Sequence, residues 1–143
     1  MRSYVIKSIL ALTCLVIVSQ PISGQKGKGG GGSTGGSACA VVATPSLSTV
    51  TISPGLNVGV FGRIGNCSSG RERYTVTISA VSSCGQETVI ASSLITFNGG
   101  ETKGISAAYA VAPDTCVGTS TVSISVYSGS TPLGTQSTPL TIQ

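Results

Sequence analysis

Four cysteines, Cys39, Cys67, Cys84 and Cys116, are the side chains of this sequence with the widest chemical repertoire. A fifth, Cys14, lies inside an apolar run near the N-terminus. Thiols can ligate a metal, attack as nucleophiles beside a base, or oxidise in pairs. Zinc sites bring cysteines as close pairs such as C-x₂-C, whereas these spacings are long and the chain contains no histidine. The missing histidine also removes Cys-His and Ser-His-Asp arrangements. Once Cys14 is set aside with the leader that contains it, an even number remains, which reads as two disulfides in an exported domain.

The carboxylates are the other chemical candidates. Glu72, Glu87, Glu101 and Asp114 all fall in or beside expected turns. Glu72 and Glu101 could meet at one end of the domain, and Glu87 and Asp114 at the other. Neither pair has further acids nearby, and calcium takes about 6–8 oxygen ligands. Solvated turn charges are the favoured reading. The glycine motifs that cradle phosphates are absent, because no glycine run follows a strand and ends in G-K-[ST]. No catalytic, cofactor-binding or metal-binding residue is therefore expected, and an enzyme is disfavoured.

What must position the cysteines begins with a leader. Arg2 and Lys7 precede the apolar run "SILALTCLVIV", Ser8 to Val18, which gives way to "SQPISGQ". That order describes a secretory signal peptide over residues 1–24, cleaved after Gly24, with Ser19 and Ser23 as alternative sites. A retained N-terminal anchor is the rival reading, but the run falls short of the roughly 20 residues of a membrane helix. Cys14 sits within the run rather than after it, so it does not read as a lipidation site. Residues 25–37 form a flexible tether: eight of the fourteen residues from Gly24 to Ser37 are glycine, and such a chain buries nothing in return for ordering. Lys26 and Lys28 could touch an anionic surface polymer. Removing Arg2 and Lys7 leaves six basic residues against four acids, net +2, which is no nucleic-acid footprint.

Residues 38–143 alternate with period two. "YTVTISAV" turns Tyr74, Val76, Ile78 and Ala80 one way, and "TVSISVY" turns Val122, Ile124 and Val126 inward. "ISAAYAV" puts Ile105, Ala107, Tyr109 and Val111 on one face; "LNVGVFGRI" does so for Leu56, Val58, Val60 and Ile64. Phe61 and Tyr127 read as scattered outward aromatics on different sheets. Turn signals separate seven antiparallel strands, at about 47–52, 56–66, 72–81, 87–97, 102–111, 118–127 and 133–142. The fourth should break near Ser92 and Ser93, and Pro139 belongs on an edge. Seven short strands with regular turns suggest an all-β, two-sheet sandwich.

The stretch "ISPGLNVGVFGRIGNCSSGRERYTVTISAV" resembles the second and third strands of bacterial surface immunoglobulin-like domains, a group that includes cell-adhesion-related and fibronectin-III-like sandwiches. In that group a strand ends in Asn plus a small residue, and a Tyr-Thr-Val strand follows. "FNGGETKGISAAYAV" is similar to the group's glycine-rich turn into the fifth strand. The resemblance covers roughly residues 45–142 and implies an immunoglobulin-like sandwich. Unlike antibody domains, the chain has no tryptophan and carries its cysteines in loops.

Up-and-down strand order fixes which loops share an end. Cys39 and Cys67 fall at one end, Cys84 and Cys116 at the other, so the expected pairs are Cys39–Cys67 and Cys84–Cys116. Other pairings would have to span the height of the strands, far beyond the ~4.4–6.8 Å between α-carbons that a disulfide allows. "NCS" at Asn66 fits a glycosylation acceptor, but a turn role explains it better. The expected function is an exported, non-enzymatic immunoglobulin-like module, structural or adhesive at the cell surface. Its partner is a protein or surface polymer, without nucleic acid, cofactor or membrane span after cleavage, and with a tendency to self-associate. A filament or assembly subunit and a secreted glycan- or ligand-binding domain are the alternatives. The location is extracellular, at the cell surface, or periplasmic.

Overall fold

The computed structural model describes residues 37–143 and the backbone of Val16–Ser19. The expected signal peptide (1–24) and tether, with Lys26 and Lys28, otherwise lie outside the described residues. Every regular element among the described residues is a strand: β1 Val16–Ser19, β2 Ala40–Val42, β3 Ser46–Leu47, β4 Thr51–Ile52, β5 Asn57–Asn66, β6 Glu72–Val81, β7 Glu87–Phe97, β8 Thr102–Ala110, β9 Gly118–Ser128 and β10 Thr131–Ile142. No helix among the described residues is long and apolar enough to cross a membrane.

The first sheet has the order β1-β8-β5-β2, with β3 also on β5; the second runs β4-β10-β9-β6-β7. Period-two alternation explains both. Val58, Val60 and Ile64 of β5 and Ile105, Ala107 and Tyr109 of β8 form one buried layer. Tyr74, Val76, Ile78 and Ala80 of β6 and Val122, Ile124 and Val126 of β9 form the other, and all join a single apolar core. The layers meet closely at Gly62, where an added Cβ would collide with the end of the Ile124 side chain. A larger residue there would push the sheets apart.

The expectation of seven strands is corrected to nine between Ala40 and Ile142. The first expected strand, 47–52, is two short ones that change sheet. β3 pairs antiparallel with β5 and β4 pairs parallel with β10. The switch occurs at Ser48–Val50, where the Thr49 hydroxyl donates to the Thr51 carbonyl at 2.8 Å and Ser48 Oγ accepts from Gly59 N–H at 2.8 Å. Alternation reports inward and outward positions but not which sheet a strand has joined. β2, just before the buried Pro45, has no counterpart among the expected strands. β7 does not break at Ser92 and Ser93: it runs unbroken, and its register against β6 slips beside Ile90, so a bulge absorbs the lost alternation. Leu56 is 57% exposed rather than core, because it precedes β5 in the turn. Pro139 faces Thr121 of β9, while β4 pairs with β10 only at Thr141 and Ile142, so the missing N–H breaks no ladder.

Candidate functional site

Both expected disulfides are present. Cys39–Cys67 has its α-carbons 5.0 Å apart and Cys84–Cys116 has them 6.1 Å apart. Two such bridges fit an oxidising compartment, extracellular or periplasmic. Beside the first lies a hydrogen-bond hub that composition does not announce. Asn66, the last residue of β5, is buried, and its amide is fully used. Its Nδ2 donates to the carbonyls of Gly70 (2.8 Å) and Asn98 (2.9 Å). Its Oδ1 accepts from Ser68 N–H (2.9 Å), Ser68 Oγ (2.8 Å) and the Tyr74 hydroxyl (2.8 Å). The Tyr74 hydroxyl also lies 2.9 Å from the Cys39 carbonyl, which accepts from Cys67 N–H. With both amide protons engaged and the side chain buried, Asn66 is closed to glycosylation in the folded chain. Burial pushes the Tyr74 phenol up from its ordinary value of 10.0, and does the same to Tyr109.

Glu101 accepts from Asn98 N–H at 2.7 Å and forms an ion pair with Lys103 at 3.7 Å. Glu72 lies opposite Phe97 at the start of β6. Among the described residues, no group of three or more His, Cys, Asp or Glu is placed to hold a metal ion.

The outer face of the second sheet offers the most extended surface chemistry. Thr75, Thr77 and Ser79 of β6 point away from the core, beside Tyr127, Ser125 and Ser123 of β9. Ser123 and Ser125 continue to Ser137 and Thr135 of β10, and Thr77 continues to Ser92 of β7. These rows are joined by hydroxyl contacts: Thr77–Ser92 at 3.1 Å, Ser123–Ser137 at 2.8 Å and Ser125–Thr135 at 2.9 Å. Strands ~4.8 Å apart therefore present a grid of hydroxyls without a charge among them. Arg73 and Glu87 stand only at its margins. One row differs: Leu94, Thr75, Tyr127 and Pro132 lie opposite one another in sequence across four strands. Tyr127 is thus part of an apolar strip rather than isolated, which a strand-by-strand reading could not show. Phe61 lies on the other sheet, 47% exposed, with its ring against Gly59, where an added Cβ would stand 3.0 Å from it.

No known protein-family profile matches the chain, and no curated protein does. Solved structures share its fold at low identity. The alkylpurine DNA glycosylase AlkC of Pseudomonas fluorescens is 14% identical with a TM-score of 0.62, over 74% of this chain and 31% of that one. A β-glucosidase of Erythrobacter marinus is 12% identical with a TM-score of 0.59, over 74% of this chain and 16% of the enzyme. The CARDB domain of the PF1109 protein of Pyrococcus furiosus, solved with di-metal ions, is 9% identical with a TM-score of 0.55. That alignment covers 74% of this chain and 87% of the domain. The chain spans under a third of the two enzymes, and at these identities the likeness is one of fold alone.

Proposed function

We propose that the chain is an exported, non-enzymatic module of the immunoglobulin-like sandwich class that adheres to a protein or polymer of the cell surface. The observation that carries this reading is the uncharged hydroxyl grid on the second sheet, in a domain tied by two disulfides. Such a face can exchange hydrogen bonds with a polar polymer without desolvating an ion. Two further points support the class. The strand order, β2, β3, β5 and β8 against β10, β9, β6 and β7, suits the fibronectin-III-like arrangement. The likeness to the CARDB domain covers most of that domain's length.

A secreted glycan-binding domain is the second reading, favoured by the Leu94–Thr75–Tyr127–Pro132 strip. Sugars present both C–H faces and hydroxyls, and this strip adjoins the hydroxyl rows. One experiment tests both. Purified protein is bound to the isolated surface fraction of the producing cells, intact or stripped of polysaccharide, beside the double variant Thr77→Lys/Ser125→Lys. Saturable binding lost in the variant is expected, and loss on polysaccharide removal selects the glycan reading. Binding that the variant leaves unchanged, or no binding at all, refutes the use of this face.

A further inference from the structure

Sheet edges invite pairing with other chains, and natural proteins guard them with short strands, prolines, bulges or charges. Among the described residues after Ser37, every edge-forming strand but β8 is guarded, β3 by having only two residues. β2 has three residues and β4 two. β10, beyond its short contact with β4, carries Pro132 and Pro139, which have no N–H to donate. β7 carries the bulge beside Ile90 and the charge of Glu87, and its Thr96 carbonyl is taken by Lys103 Nζ at 2.7 Å. β8 has none of these devices. It runs nine residues without proline, in unbroken register with β5. Its one charge, Lys103, is turned across to Thr96 and Glu101. It is also where another strand is seated: Val16–Ser19 lies antiparallel along Lys103–Ser106.

We propose that the outer edge of β8 is a strand-pairing interface that, in the processed chain, takes the β8 edge of a second copy. This rests on the export reading above, because leader removal takes away the strand that occupies the edge here. Antiparallel self-pairing centred on Ser106 sets Gly104 opposite Ala108, Ile105 opposite Ala107 and Lys103 opposite Tyr109 of the copy. Core-side positions then meet core-side positions, the outward positions are small, and no like charges face each other. The contact is isologous, closes as a two-fold dimer, and joins two first sheets into one. The leader strand of a second copy is the weaker occupant, because that strand already lies on β8 of its own chain.

The test uses the secreted chain, with its N-terminus read by mass spectrometry and its mass followed by sedimentation equilibrium. A chain that starts after Ser19 should double in mass at high micromolar concentration, in low and high salt alike. Ser106→Lys and Ser106→Glu should each be monomeric, and an equimolar mixture of the two should associate again. A chain that retains Val16–Ser19 should be monomeric and dimerise on Ile17→Pro. The proposal is overturned by a processed chain that stays monomeric, by a dimer indifferent to Ser106→Lys, by a mixture that does not re-pair, or by a retained strand whose disruption releases no dimer. Failure of surface adhesion leaves these outcomes untouched, because Thr77 and Ser125 lie on the other sheet.

Discussion

Replacing Asn66 with alanine tests whether the hub beside Cys39–Cys67 holds that end of the molecule. The amide makes five hydrogen bonds. At a net ~1 kcal/mol each they would sum to about 5 kcal/mol, but several partners keep a second bond. The Tyr74 hydroxyl retains the Cys39 carbonyl, the Gly70 carbonyl retains Ser68 Oγ at 3.1 Å, and the Asn98 carbonyl retains Glu101 N–H at 3.1 Å. The Ser68 N–H is the group left facing a void. The expected loss is therefore ~2–4 kcal/mol, one stranded donor plus the lost packing and weakened neighbours. Tyr74→Phe should lose only ~1 kcal/mol, because Oδ1 keeps both Ser68 donors and Cys39 keeps Cys67 N–H. Urea unfolding with the disulfides intact measures both. Equal losses in the two variants, or a loss below 1 kcal/mol for Asn66→Ala, would refute the hub as described.

Four other outcomes are expected. Gly62→Val should destabilise by ~1–3 kcal/mol through overpacking against Ile124 and Ile105, read from the urea midpoint. Ser120→Ala should be neutral or stabilising by up to ~1 kcal/mol, since the Ser120 hydroxyl is buried without a partner; a loss beyond that would mean it has one. Removing Cys84–Cys116, which closes a 32-residue separation, by Cys84→Ser/Cys116→Ser should lower stability by ~3–4 kcal/mol in the chain-entropy model. Burial raises the Tyr74 and Tyr109 phenols above 10.0, so the stability they lend is full below pH 10 and drains as pH rises through their folded values. A urea midpoint flat across pH 7–9 and falling above 10, less steeply in Tyr74→Phe, is the expected profile.

The long strands and both disulfides were legible because each depends on a local rule, alternation or chain order. The pairs followed once β5 to β9 ran alternately up and down, and nothing in that inference needed side-chain contacts. The strand switch at Ser48–Val50 was not legible, because it depends on which sheet has a vacant edge at that height. The bulge at Ile90 looked like a break because an extra residue and a strand end interrupt alternation alike. Asn66 reads as a turn residue, yet it ends β5, and its bonds to Tyr74 of β6 and to Asn98 beyond β7 exist only once folding has assembled those segments. Tyr127 and Leu94 form one row because β6 lies between their strands, an order that no single strand records.

The two disulfides also govern how far the domain can be drawn out under tension. Load entering through the residues before Cys39 and leaving through β10 crosses at Cys39–Cys67 and again at Cys84–Cys116. The stretches they enclose, with separations of 28 and 32 residues, are bypassed and cannot pay out. At ~3.3–3.6 Å per extended residue they withhold about 200 Å of slack. Between Cys39 and Ile142, only β6, β9 and β10 lie outside those loops. A stretched molecule would therefore yield in short steps while β5, β7 and β8 stay tied in place, and it would regain its shape from a partly assembled core when the load is released.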